Sequence, residues 1–153
     1  MGAPGAFMSR EIPASAAWLG GLGLVPFAAA ALLSIIGPNA DLRELAVRAF
    51  IAYSAVILAF LGGVRWGAAL GDAQWRPLLR AVLPSLVACA CLLIAPLDAI
   101  KILAAVFAVI GFFDVVRRPA PEWPAWFMKL RARLSGAVVV IHLALLVALT
   151  GQV

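Results

Sequence analysis

LAVRAFIAYSAVILAFLGGVRWGAAL, residues 45–70, decides the fold. Between Arg48 and Arg65 it carries no charge, and a helix rising about 1.5 Å per residue needs roughly 20 residues to cross about 30 Å of hydrocarbon. Lipid offers no partner to an unpaired backbone group, so an apolar run of this length becomes a helix. Similar runs occupy residues 13–37, 78–96, 98–116 and 134–152. Pro96, Leu97 and Asp98 separate the third run from the fourth, which fits a tight turn in an antiparallel pair. Apolar residues make up 65% of the composition and charged ones 12%, against nearer half and about a quarter in a soluble domain. The expectation is an all-α integral membrane bundle with five transmembrane helices. Residues 1–12 form a short cytoplasmic segment, and residues 13–152 a single transmembrane domain.

Lys and Arg are retained on the cytoplasmic side during insertion. One set of gaps holds Arg10, Arg65, Arg76, Arg80, Arg117, Arg118, Lys129, Arg131 and Arg133, and the other only Arg43, Arg48 and Lys101. This asymmetry puts the N-terminus inside and, after five crossings, the C-terminus outside. Trp18, Trp66, Trp75, Trp123 and Trp126 all lie on the same inner side, at the headgroup level that indole rings favour. The net charge of +5 flanks membrane spans and forms no separate basic domain, so attraction to anionic headgroups explains it without nucleic acid. Ala28, Ala29 and Ala30 resemble a signal-peptide cleavage site, but the first run exceeds a typical h-region and Arg10 is offset by Glu11, so it reads as a retained span. Arg in place of Lys, with abundant Ala and Gly, suggests a GC-rich bacterial genome and hence the bacterial inner membrane. The mitochondrial inner membrane is the alternative, although residues 1–12 lack the character of a transit peptide.

Helices in lipid associate through close backbone approach, which small residues spaced by four permit. Ala55, Ala59, Gly63, Gly67 and Gly71 form such a row and are expected to be a helix-packing face within the protomer, with dimerisation as the alternative. Gly20, Gly21 and Gly23 beside Pro26 predict a kink in the first span. In the long connection before the last span, Trp126, Phe127, Leu130 and Leu134 oppose Lys129, Arg131 and Arg133 on a helical wheel. An amphipathic segment near 123–133 is therefore expected in the interface, with Trp123, Trp126, Phe127 and Arg131 at the membrane boundary. Asp114 precedes Arg117 and Arg118 by three and four residues, which suggests a local ion pair.

The stretch Phe60-Leu61-Gly62-Gly63-Val64-Arg65-Trp66-Gly67, followed by Trp126-Phe127, Leu130-Arg131 and Leu134-Ser135, resembles the transmembrane protein 69-like family of small polytopic proteins of bacteria and mitochondria. The resemblance extends over roughly residues 13–150. It implies a multi-span inner-membrane protein and supplies no reaction, ligand or catalytic residue.

Ionisable groups within spans are costly and therefore functional candidates. His142 lies deep in the fifth run, where a structural hydrogen bond to Tyr53, Ser54 or Ser85 competes with ligand binding or proton relay. Arg65 either snorkels to the headgroups beside Trp66 or binds a phosphate or carboxylate in an inner-face pocket. Glu44 with Arg48, and Asp98 with Lys101, have the offsets of ordinary helix ion pairs. Cys89 and Cys91 read as small apolar core residues, since their spacing suits neither an intrahelical disulfide nor a metal site. No catalytic residue, metal site or cofactor is expected. The expected function is that of a non-enzymatic accessory or assembly subunit of a larger membrane complex, or a homo-oligomer. The alternative is a small-molecule binder or transporter using Arg65, Trp66 and His142, with proton coupling through His142.

Overall fold

Pro26 has no N–H to offer the carbonyl of Leu22, so the first apolar run cannot continue as one straight helix. In the computed structural model, which describes residues 11–71, 74–117 and 123–151, that run is two helices, α1 (Ala14–Leu22) and α2 (Val25–Ile36). Gly23 and Leu24 form the break, and Pro26 sits in the first turn of α2, where a missing N–H is tolerated. The carbonyl of Gly23 accepts a 2.9 Å hydrogen bond from the Tyr53 hydroxyl. The expected kink is thus a full interruption, held by a side chain from the next helix.

Helix α3 (Ala40–Ala69) starts at Asn39, whose side chain accepts from the N–H of Leu42 at 2.8 Å. Its 30 residues span about 45 Å, so Asp41, Arg43 and Glu44 precede the apolar run read from the sequence and Arg48 falls in its first turn. Helix α4 (Trp75–Cys91) contains Pro84 and has 17 residues. Helix α5 (Pro96–Arg117) opens with a proline at its first position, and α6 (Ala125–Thr150) runs unbroken for 26 residues. The amphipathic stretch expected to lie as a separate element in the interface is instead the first turns of α6. Among the described residues there is no strand.

Among the described residues four helical stretches are long and apolar enough to cross a bilayer: Ala14–Ile36, Ala40–Ala69, Pro96–Val116 and Ala125–Thr150. Helix α4 falls short because Arg76 and Arg80 occupy its first turns and it ends at Cys91, five residues before the end expected from the sequence. The chain's direction follows from its contacts. Arg65 and Asp114, near the C-terminal ends of α3 and α5, meet, as do Arg131, near the start of α6, and Asp114. Helices α3 and α5 therefore run parallel and α6 antiparallel to both, while α4 carries the chain back between them. Arg43, Arg48 and Lys101 fall at one end of the bundle. Arg65, Lys129, Arg131 and Arg133 fall at the other, called here the basic end.

The core is built around Phe27, Phe50, Leu58, Ile100, Leu103, Phe107 and Leu145, each no more than 1% exposed. The outside is as apolar as the inside: Leu93 is 82% exposed, Trp18 73% and Val147 72%. A surface of this kind is stable only in a solvent that does not penalise it, which is lipid. Cys91 is buried as expected of a core residue, whereas Cys89 faces outward. Glu44 and Arg48 form an exposed ion pair, and Lys101 pairs with Asp98 at 3.1 Å.

Candidate functional site

Three helices meet at a single carboxylate. Asp114, 1% exposed, lies three residues before the end of α5, and both its oxygens are taken by arginines from other helices. Arg131 of α6 donates to Oδ2 through Nε at 2.8 Å and also through Nη2. Arg65 of α3 donates through Nη2 to Oδ1 and, at 3.4 Å, to the carbonyl of Ile110. The guanidinium of Arg131 lies 5.6 Å from the ring centre of Trp123 and 5.7 Å from that of Phe127, within the range of cation–π attraction. These two rings meet edge-on at 5.1 Å. Close approach of the backbones makes this possible: a Cβ at Gly111, one turn before Asp114, would lie 2.9 Å from Cβ of Ser135.

Among the described residues the cluster has two guanidinium groups for one carboxylate, one positive charge in excess. Arg131 is 6% exposed, while 18% of the Arg65 side chain is accessible. The Nε of Arg65 is buried without a hydrogen-bond partner. Such a set of donors suits an anion. Among the described residues no three of His, Cys, Asp and Glu converge on a metal-sized space.

His142 occupies a different place. It is fully buried, with ring centres of Phe50, Phe107 and Phe27 at 4.7, 5.4 and 5.8 Å. Its Nδ1 is 2.8 Å from the carbonyl of Val138, which can only accept, so this nitrogen carries a proton. Nε2 faces the Ser54 hydroxyl at 3.2 Å, and that hydroxyl also reaches the carbonyl of Phe50 at 2.7 Å. Of the three partners expected for His142, Ser54 is the one the fold selects. Tyr53 is engaged with Gly23, and Ser85 approaches Gly62. Eleven residues along α6 separate His142 from Arg131, about 16 Å of helix. Arg65 and His142 therefore contribute to separate clusters.

Transmembrane protein 69 of Xenopus tropicalis is 36% identical to this chain over 140 residues, covering 85% of the chain and 53% of that protein. A family model described as a protein of unknown function (DUF3429) matches residues 12–147. The chain belongs to the transmembrane protein 69-like family. It spans about half the length of the curated relative it matches. No solved structure matches.

In this transmembrane protein 69-like chain the small-residue row divides. Ala55 is buried, and Ala59 is half-buried, but a Cβ at Gly63, Gly67 or Gly71 would meet nothing within 4 Å. The inner half of the row is therefore not a packing face within the protomer. The close approach occurs one residue earlier, at Gly62, where a Cβ would stand 2.6 Å from the carbonyl oxygen of Ala81 on α4. One residue is about 100° around a helix, enough to exchange an outer face for an inner one. Trp66 is 42% exposed, and Trp123, Trp126 and Phe127 are half-buried. Arg131, expected at the membrane boundary, lies in the second turn of α6 with its side chain directed inward to Asp114. The expected local partners of Asp114, the Arg117 side chain and Arg118, lie outside the described residues.

The sequence suggests Asp114 as a local partner of Arg117 and Arg118, and its interior role across three helices is not legible from that spacing. The signal available in the sequence is that the apolar run 98–116 contains Asp114, a carboxylate inside a span and in need of a cation.

Proposed function

We propose that this chain is a non-enzymatic accessory or assembly subunit of a larger complex in the bacterial inner membrane, or in the mitochondrial inner membrane as the alternative. One observation carries the reading. The intramembrane polar groups Arg65, Asp114, Arg131, His142, Ser54 and Tyr53 are engaged with one another or with backbone, mostly across helices, whereas Gly63, Gly67 and Gly71 leave the basic end of α3 open to a close neighbour. Interior chemistry of this kind holds a bundle together. An open glycine row lets another helix, from a second copy or a different subunit, come within backbone contact.

In this reading the chain crosses five times. The parallel course of α3 and α5 calls for a return between them, and the 17 residues of α4 cover about 25 Å, with Arg76 and Arg80 reaching toward the headgroups. The basic end faces the cytoplasm or matrix, so the N-terminus is inside and the C-terminus outside. Reporter fusions test this: termini in opposite compartments are expected, and termini in the same compartment refute a crossing by α4. For the subunit role, purification of the full chain in mild detergent is expected to bring down a stoichiometric protein partner. Repeated isolation of the chain alone would defeat the reading.

A small-molecule binder or transporter using Arg65, Trp66 and His142 is the second reading, favoured by the excess positive charge around Asp114. Two surface grooves, of about 400 Å³ and about 390 Å³, lie elsewhere: one along the α1–α2 bend at Trp18 and Val25, the other between Glu11 and Arg133. This reading predicts saturable ligand binding that both Arg65→Ala and His142→Ala weaken.

A further inference from the structure

We infer that Arg65, backed by Asp114 and Arg131, is a specific binding site for one phosphate-class anion at the basic end of the bundle. A buried charge is stable only when paired, and among the described residues Arg65, Asp114 and Arg131 retain one unbalanced positive charge although Asp114 and Arg131 are almost wholly enclosed. The imbalance has an outlet at Arg65, the one member with 18% of its side chain accessible. Its Nη2 is fixed by Asp114 and Ile110 and its Nε is buried without a partner, so an incoming anion meets the outer, accessible part of the guanidinium.

The guanidinium is thus held in one orientation before any ligand arrives. A planar guanidinium fixed in place before binding favours phosphate oxygens over a mobile cation. Arg131 cannot serve in its place, since two of its nitrogens and its aromatic contacts are already engaged. It supplies the second positive charge that makes the site cationic despite Asp114.

The depth fits. Arg65, Asp114 and Arg131 lie three to six residues inside the ends of α3, α5 and α6, roughly 5 to 9 Å by helical rise. Beside them Trp66 is 42% exposed, as expected of an indole at the headgroup boundary. A phosphate at this level belongs either to an anionic lipid headgroup or to a free ion from the aqueous side. The site requires neither transport nor His142 nor membership of a complex, so its failure would leave the subunit reading intact.

The test uses the full chain, delipidated in mild detergent, with two probes. Native mass spectrometry measures retention of phosphatidylglycerol against phosphatidylcholine. Thermal unfolding compares inorganic phosphate with chloride at equal ionic strength. Selective retention of one phosphatidylglycerol identifies a headgroup site, and a saturable phosphate-specific rise in Tm identifies a free anion. In either case Arg65→Gln is expected to weaken binding at least about tenfold, as for loss of a charged hydrogen bond, while Arg80→Gln, on the exposed face of α4, leaves it unchanged. Arg65→Gln is expected to fold, because Asp114 keeps its two bonds from Arg131. Should it fail to assemble, Arg65→Lys decides, since it keeps the charge but loses the planar fork and is expected to bind several-fold more weakly. Binding of neither probe, equal loss in Arg65→Gln and Arg80→Gln, or wild-type binding by the deciding variant overturns the site.

Discussion

Replacing Asp114 by Asn tests the central feature of this bundle with almost no change in volume. The carboxylate accepts from Arg131 Nε, Arg131 Nη2 and Arg65 Nη2, and it joins three helices at a point where its own side chain is 2% exposed. Asn can accept only through its one carbonyl oxygen, and it cancels neither positive charge. Two guanidinium groups then face each other in a poorly solvated site. Removing one partner of a buried ion pair costs about 3–5 kcal/mol, compared with about 0–1 kcal/mol for an exposed pair. The low exposure of Asp114 and Arg131 puts this case in the first class. Asp114→Asn is therefore expected to destabilise the fold by about 3–5 kcal/mol, read as a shift in reversible unfolding in mixed detergent micelles. Adding Arg131→Gln to it should recover part of that loss, because the double variant no longer buries the second unpaired charge. A cycle of the two single variants and the double measures the coupling directly. If Asp114→Asn costs less than about 1 kcal/mol, or if the two substitutions are additive within about 0.5 kcal/mol, the cluster is screened by solvent and the argument for a buried triad fails.

Three other outcomes are expected. Gly62→Ala should destabilise the fold by about 1–3 kcal/mol through overpacking against the Ala81 carbonyl, whereas Gly63→Ala, which meets nothing within 4 Å, should be neutral or slightly stabilising in the same unfolding assay; equal effects would place the α3–α4 contact elsewhere. Tyr53→Phe removes the 2.9 Å bond to Gly23 and should cost about 1 kcal/mol, with faster hydrogen exchange at the α1–α2 break, and unchanged exchange there would show that the break does not depend on Tyr53. His142→Ala should cost about 2–5 kcal/mol through the cavity left among Phe27, Phe50 and Phe107; a neutral effect in thermal unfolding would contradict its place in the core.

The positions where reading from sequence went astray share a physical cause. Gly63, Gly67 and Gly71 satisfy the spacing rule as well as any packing row, but spacing gives only the faces of a helix and not which face meets a neighbour. Gly62, one residue away, takes the contact. On a helical wheel Arg131 falls on the polar face with Lys129 and Arg133, and it turns inward because Asp114, seventeen residues earlier, presents a carboxylate there. Asp114 itself has the offsets of a local pair with Arg117 and Arg118, and spacing along one helix does not reveal that Arg65 and Arg131 reach it. Conversely, the break at Pro26 and the helical ion pairs of Glu44 with Arg48 and Asp98 with Lys101 were legible, because each depends on residues within one or two turns of each other.

From its sequence alone this chain was committed to helices in lipid: long apolar runs have no other way to pair their backbone, and the clustering of Lys and Arg in alternate gaps separates a basic end from a nearly neutral one. Those are properties of single segments and need no knowledge of neighbours. Tertiary structure decided that α3, α5 and α6 meet at Asp114, that His142 belongs to an aromatic core with Ser54, and that the open glycines face away from the bundle. Such outcomes depend on the rotation of each helix about its own axis, which is set by the sum of many packing contacts and by the pairing of charges far apart in the chain.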